Sequence, residues 1–401
     1  MKILQINAVY GTNSTGRTNT EFQKYILSNT NHTCKTAFCY GGVESDGFII
    51  GSALDRKIHG LLSRVFGKQA WHSKKATKKL IKYIEEYNPD IIRLGNLHGN
   101  YINFPLLTKY ISKKDIPTAV VLHDCWPFTG KCCHYFAENC YKWQTGCYAC
   151  PRLKADNKSL FFDRTRQLWN KKRELWGSIP RLTVVGVSKW VMEEAKKSPL
   201  VEKAKKITYI YNGIDKEIFK YTESNLREEY NLQNKKILLG VASGWSKGKG
   251  INDVIALSQK LPEDCQIVII GKMYQDLPNT NIISIPKTDN LDVLIKWYST
   301  ADVFINVSKL ETFGKVTAEA LMCGTPVVCY NQTANPELIG EGCGYICDTD
   351  NIDDYKDLVL KVLNDGKEKY SKRCVEFAQS NFDKNKCIEA YISLYEQMQK
   401  M

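Results

Sequence analysis

Two carboxylates eight residues apart, in the string Glu311-Thr312-Phe313-Gly314-Lys315-Val316-Thr317-Ala318-Glu319, are the first chemistry this chain offers. The apolar run Val303–Val307 ahead of them reads as a strand. Val316 to Met322 reads as a helix that stops at Cys323-Gly324-Thr325-Pro326. Glu311 then sits on a loop beyond a strand's carboxyl end, where open α/β sheets bind their ligands. The helix start at Gly314, Lys315 and Val316 presents N–H groups and the positive dipole end, which suit a diphosphate. Glu319, just over a turn inside the helix, is placed to accept hydrogen bonds from a ribose.

A second cluster is made of thiols. Six of the fifteen cysteines are Cys125, Cys132, Cys133, Cys140, Cys147 and Cys150, with His134 among them. Cys147-x-x-Cys150 has the spacing of one zinc half-site, and Cys132 with Cys140 can supply the other half. The gap between Cys132 and Cys140 is wider than in a common finger, so disulfides and unligated buried thiols stay open beside zinc. The other nine cysteines are scattered singly, as small buried hydrophobes in a reducing compartment are.

Three weaker features complete the inventory. Gly11-Thr12-Asn13-Ser14-Thr15-Gly16-Arg17 follows the first apolar run, so its backbone can approach a phosphate closely. His123 follows the run Thr118–Leu122, again at a strand's carboxyl end. Asp348-Thr349-Asp350 invites a metal-binding reading, but its place between a strand-like run and a helix marks turn and N-cap residues.

The elements that must carry these groups alternate. Strand-like runs at Ile3–Val9, Ile91–Leu94, Thr118–Leu122, Leu182–Val187, Ile237–Val241, Gln266–Ile270, Val303–Val307 and Pro326–Cys329 are mostly separated by helix-length segments. Near-continuous apolar strands alternating with helices indicate parallel sheets covered on both faces. That pattern fits one barrel or two doubly wound domains. The stretch from 221 to 236, with two acidic clusters and few apolar residues, reads as the domain linker.

With 401 residues, 43% of them hydrophobic, the chain can fill sizeable cores and is not a disordered protein. No apolar run reaches the ~18 residues of a membrane helix, and the start is too short for a signal peptide, so a cytoplasmic protein is expected. The net charge of +13 is uneven: residues 55 to 82 hold nine Lys or Arg against Asp55 alone. Within that stretch Ile58, Leu61, Leu62, Val65 and Phe66 follow a helical apolar stripe, and a second basic run leads into Leu80, Ile81 and Ile84. Two readings compete: core-packed helices with solvated basic faces, or a patch that seats the protein on anionic lipid at the inner face of the cell membrane. A zinc-containing nucleic-acid binder is disfavoured, because the thiols lie between α/β strands and few aromatics interleave the basic stretch.

The full string E-x-F-G-x(4)-E-A-L-x-x-G-x-P-V resembles the retaining glycosyltransferases of family 4. Further pieces support the resemblance: Pro89-Asp90-Ile91-Ile92, Asn96-Leu97-His98-Gly99-Asn100-Tyr101, His123-Asp124-Cys125-Trp126-Pro127-Phe128-Thr129-Gly130, Val187-Ser188-Lys189, Tyr211-Asn212-Gly213-Ile214-Asp215 and Lys249-Gly250. The specific strings are similar to those of bacterial capsular, colanic-acid and O-antigen polysaccharide transferases. The resemblance implies the α/β GT-B fold, two Rossmann-like domains facing across a cleft, with a C-terminal helix crossing back to the first. Residues 1–210, with 384–401 packed on them, are the implied acceptor domain, and 211–383 the nucleotide-sugar domain.

The same resemblance assigns roles. His123 and Glu311 are the implied catalytic residues, and Gly16, Arg17, Lys247, Lys249, Phe313, Gly314, Lys315, Val316 and Glu319 hold the donor. Family members typically carry an Arg five residues before Lys249. This chain has Gly244 there, and Lys247 can supply the second cation, as a point charge rather than a fork. A nucleotide-diphosphate sugar is the implied co-substrate, with a lipid-linked or oligosaccharide acceptor, no required catalytic metal and no nucleic acid. A similar thiol pattern in the resembling subgroup favours Cys132, Cys140, Cys147 and Cys150 as the set for a structural zinc. A sugar-nucleotide epimerase on the same fold is the nearest competing activity.

Overall fold

The computed structural model describes residues 1–41, 47–277 and 281–401. The chain divides into two units, residues 1–210 with 388–401, and residues 211–387. In the first unit the strands are β1 (Lys2–Ile6), β2 (Val9–Tyr10), β3 (Thr33–Phe38), β4 (Tyr40–Gly41), β5 (Phe48–Ile49), β6 (Ile91–Leu94), β7 (Thr118–Leu122), β8 (Leu182–Gly186) and β9 (Lys206–Tyr209). Seven form one all-parallel sheet in the order β5-β3-β1-β6-β7-β8-β9, while β2 and β4 pair separately. The helices are α1 (Asn13–Asn29), α2 (Ala53–Phe66), α3 (Lys74–Tyr87), α4 (Phe104–Lys114), α5 (Thr165–Gly177) and α6 (Lys189–Lys196).

The second unit repeats the plan. Its strands β10 (Lys236–Trp245), β11 (Cys265–Met273), β12 (Ile282–Ile285), β13 (Val303–Asn306), β14 (Val327–Tyr330) and β15 (Gly344–Cys347) lie parallel in the order β12-β11-β10-β13-β14-β15. Its helices are α7 (Leu226–Glu229), α8 (Ile251–Ser258), α9 (Leu291–Thr300), α10 (Lys315–Met322), α11 (Ile352–Asp365) and α12 (Glu368–Phe382). The last helix, α13 (Lys384–Gln399), passes from the second unit into the first, to which residues from Ile388 onward belong. Each unit is thus a doubly wound α/β sheet, the fold class GT-B expected from the sequence.

Buried strands are apolar because both faces are covered: β6, β7, β8, β13 and β14 are buried at every residue. β3, Thr33–Phe38, was invisible to that rule because its interior is polar. Thr36 is fully buried, donates to Gln23 Oε1 at 2.6 Å and accepts from Gln5 Nε2 at 3.0 Å. Arg93 on β6 extends this network, donating to Gln5 Oε1 at 2.6 Å and Asn19 Oδ1 at 2.7 Å. Its guanidinium lies 4.9 Å from the ring centroids of both Phe22 and Tyr391, so the buried cation fastens α13 to the sheet.

Two expectations need correction. Residues 221 to 236 are not a linker: Leu226 and Leu232 are buried, and Arg227 Nη2 reaches both Asp302 carboxylate oxygens at 2.8 Å. The stretch looked linker-like because it lies on the surface of the second unit, and the passage between units falls at Ile210 and Tyr211. The glycine-rich loop is also shorter than read. Asn13 to Arg17 are already helical in α1, leaving Gly11 (φ 72°) as the turn, so Gly16 and Arg17 are helix residues.

Candidate functional site

In an open parallel sheet the ligand crevice forms where strand order reverses, outside the carboxyl ends. In the second unit that point lies between the neighbouring strands β10 and β13. The 3-10 turn Lys247–Lys249 follows β10, and the loop with Glu311 follows β13. Lys309 N donates to Gly248 O at 3.3 Å, drawing the two loops together. Lys249 Nζ then reaches Glu311 Oε1 at 2.6 Å, a half-buried ion pair that no sequence spacing announced. Lys247 stands exposed on the same turn.

A buried amide network sets this geometry. Asn306, at the end of β13, donates from Nδ2 to Thr317 Oγ1 at 2.8 Å and to Asn335 Oδ1 at 3.1 Å. Its Oδ1 accepts from Ser308 N at 3.1 Å, and Asn335 Nδ2 donates to Ser308 O at 2.7 Å. Glu311 N donates to Thr333 Oγ1 at 3.1 Å. Asn306, Thr317, Thr333 and Asn335 were all missed by sequence reasoning. Their polar side chains carry no spacing signal, since their partners come from separate loops.

Gly314 caps α10 at φ 93°, a left-handed conformation that favours glycine, so the helix opens directly beside Glu311. Lys315 and Val316 occupy its first turn, and amide groups there point out of the helix. Phe313 is different from the expected ligand contact: its ring is buried 5.8 Å from Tyr211 and 5.6 Å from Phe382, anchoring the turn from below. Glu319 is 6% exposed and its Oε2 accepts from the Tyr298 hydroxyl at 3.0 Å, which ties α10 to α9. The Asp348-Thr349-Asp350 run forms the expected turn, but none of the three is the N-cap of the helix. Asp348 accepts from Asn331, Asp350 pairs with Lys309, and the helix cap itself is Asn351.

In the first unit strand order reverses between β1 and β6. Asn7 joins the two following loops, accepting from Asn96 N at 2.8 Å through Oδ1 and donating to Val9 O at 2.7 Å through Nδ2. His123 stands at the end of β7, half-buried. Beside it His98 Nε2 meets Asp124 Oδ2 at 2.7 Å, with Cys133 Sγ 3.8 Å from the same nitrogen. Burial alone lowers the pKa of His98, yet Cys133 and Asp124 hold it well above the ordinary value. His98 and Asp124 lay in recognised strings, but only folding shows that they form a pair.

Cys132, Cys140, Cys147 and Cys150 line one small cavity with Thr129 and Lys131, while Cys125 and Cys133 are buried outside its lining. The basic helices divide. α3 buries Ala76, Thr77, Leu80 and Ile84, as a core-packed helix does. α2 is turned the other way: His59 and Ser63 are buried, while Leu54, Ile58, Leu61 and Phe66 are 66%, 48%, 61% and 45% exposed.

Two protein-family models match the chain: Glycosyltransferase Family 4 over residues 50–218 and Glycosyl transferases group 1 over residues 222–381. Among curated relatives, an N-acetyl-alpha-D-glucosaminyl L-malate synthase of Bacillus anthracis is 27% identical over 213 residues, 49% of this chain and 55% of that protein. An O-antigen biosynthesis glycosyltransferase of Escherichia coli is 29% identical over 164 residues, 38% of this chain and 43% of that protein. The matched region therefore spans about half the length of these relatives. HepE of Anabaena, solved with UDP and glucose, superposes with a TM-score of 0.66 over 99% of this chain and all of its own, at 16% identity.

Proposed function

The chain belongs to the family 4 glycosyltransferases of GT-B fold, and from that premise we propose that it moves a sugar from a nucleotide-diphosphate donor to a saccharide acceptor with retention of configuration. The observation that carries this reading is the Lys249–Glu311 pair at the switch point of the second unit, next to the open start of α10. The second unit, residues 211–383, binds the donor. Its diphosphate lies on the α10 N-terminus, with Lys249 and Lys247 as counter-charges in place of a metal. Glu311 holds Lys249 in position before the donor arrives. The bond from the anomeric carbon to the phosphate oxygen breaks with its electron pair leaving on phosphate. The acceptor hydroxyl adds on the same face, and its proton passes to the departing phosphate oxygen. Charge develops on that oxygen, so pre-set cations and amides there lower the barrier most.

Residues 1–210, together with the final helix, bind the acceptor, with His123 as the catalytic group of that unit and the His98–Asp124 pair next to it. HepE is solved with UDP and glucose, which makes UDP-glucose the first donor to test. The acceptor is lipid-linked, and the outward apolar side of α2 supports a peripheral position on the inner face of the cell membrane. Its outward apolar side continues into Leu160, Phe161 and Phe162, and Leu160 N donates to Arg64 O at 2.8 Å. Lys57 and Arg64 on α2, and Lys74, Lys75, Lys78 and Lys79 on α3, are exposed, and each contributes about 1 kcal/mol near an anionic bilayer. No helix among the described residues is long and apolar enough to cross a membrane.

Calorimetry with UDP, alongside turnover, tests the donor assignment. Glu311→Gln is expected to bind UDP and lose turnover, and Glu319→Gln to lose UDP affinity. Normal UDP binding by Glu319→Gln, with binding lost in Glu311→Gln, reverses the donor's orientation. NMR of the product decides the mechanism: an inverted anomeric centre removes retention, and a new sugar nucleotide formed without acceptor means an epimerase.

A further inference from the structure

Residues 123 to 164 connect β7 to α5 with nothing more regular than three 3-10 turns, Trp126–Phe128, Tyr135–Glu138 and Lys142–Gln144. Loops beyond about 15 residues without their own secondary structure are uncommon inside a domain, so something else orders this one. Its interior is charged. Lys131 is 3% exposed, and Lys172, reaching in from α5, is 1% exposed. Lys131 Nζ donates to the carbonyl oxygens of Arg152 and Leu153 at 2.9 and 2.8 Å, and Lys172 Nζ to those of Trp126 and Thr129 at 2.7 and 3.0 Å. Carbonyls satisfy the donors but carry no net charge, and a buried cation needs an anion nearby.

Carboxylates and thiols both stand near these cations: Asp156, Cys132 and Cys150 by Lys131, and Asp124, Cys133 and Cys147 by Lys172. Cys132, Cys140, Cys147 and Cys150 line a cavity of about 20 Å³, large enough for a single atom-sized occupant. Gly130 N donates to Cys147 Sγ at 3.2 Å. A Cβ on Gly130 would stand 2.8 Å from that sulfur, so only glycine lets the chain cradle it. Four thiols line one small space, with an amide on one sulfur and two buried ammonium groups in the same loop; among the described residues no three of these sulfurs lie within 4.8 Å of one another, so a bound ion would draw them together.

We propose that Cys132, Cys140, Cys147 and Cys150 hold one zinc ion in a closed structural site, and that Lys131 and Lys172 neutralise the two negative charges of the zinc tetrathiolate. Four protein ligands leave no open position, so the ion orders the loop and takes no part in chemistry. It fastens Gly130, a few residues after His123 and Asp124, to the segment that carries Leu160 to Phe162. The site stands independently of the sugar-transfer reading.

The test is elemental analysis of the full chain purified without added metal, with one zinc per chain expected. Cobalt exchanged into the wild-type protein should show the sulfur-to-metal charge-transfer intensity of four thiolates. This reading needs no variant to fold. Cys140→Ser and Cys147→Ser should lose the zinc, Cys133→Ser should keep it, and Lys172→Met should speed its loss to a chelator at least tenfold. Zinc removal should lower the melting temperature while UDP affinity changes less than twofold. Three results overturn the proposal: metal-free protein whose intact mass shows disulfides, iron in place of zinc, or zinc lost from Cys133→Ser but kept in Cys140→Ser. The last would put the ion on His98, Asp124 and Cys133, whose ligand atoms lie within 4.8 Å of one another.

Discussion

The two units share a doubly wound plan but spend their buried polar groups differently. In the second, Asn306, Thr317 and Asn335 concentrate at the carboxyl ends of β13 and β14, where they set the loop of Glu311. In the first, buried cations do structural jobs: Arg93 fastens α13, and Lys131 and Lys172 brace a loop without regular structure. Short connections leave the second unit's polar groups available to shape a site. The long connection in the first unit has to be ordered from inside. Substitutions in the second unit should therefore reach turnover first, and those in the first unit stability first.

The largest effect is expected at Lys249. Lys249→Ala removes the cation preset by Glu311, and turnover should fall about 10²–10³-fold, the scale of losing one preorganised charge-stabilising group. Steady-state kinetics with a sugar nucleotide measures it, and a change of only a few-fold would erase the proposed contrast between units.

Arg93→Met should destabilise the protein by about 3 kcal/mol, because Gln5 Oε1 and Asn19 Oδ1 stay buried without their charged donor. Denaturant unfolding reads this, and UDP affinity should not move. A loss of UDP affinity equal to the loss of stability would show that the units do not divide the labour as described.

A smaller, graded effect belongs to His59, which α2 turns inward. Burial, with His72 beside it, lowers its pKa to about 3. The unfolded chain takes up a proton near pH 6.5 and the folded one does not, so stability is complete above that pH. It should fall by about 1.4 kcal/mol per unit as pH drops from 6.5 toward 3. Melting curves of the parent and of His59→Leu should diverge over that window, the variant lacking this part of the slope.

The smallest effect on folding is expected at Leu61, which is 61% exposed. Leu61→Glu should change stability by no more than about 0.5 kcal/mol while abolishing flotation with anionic vesicles. Equal recovery of the parent protein on neutral and anionic vesicles at low salt would remove the membrane assignment.

What could be read from the sequence follows from what is local. β6 and β7 agree with their apolar runs residue for residue, and α10 with its Gly-Pro stop, because period and punctuation act over a few residues. Edge strand β12 and the polar β3 escaped, the first for want of a continuous apolar run. The string from Glu311 to Glu319 pointed to the candidate site's loop, but not to the ion pair that Lys249 makes with it. Likewise the stripe from Ile58 to Phe66 was plain, while its direction was not, since a helix with one apolar and one polar side can bury either. Burial of His59 and Ser63 was decided by the neighbours α2 meets, and the thiol cavity by a loop closing on itself. Spacing along the chain determines which groups share a strand, turn or helix face. Which faces and loops then meet depends on contacts between residues far apart in sequence, and those only the folded structure supplies.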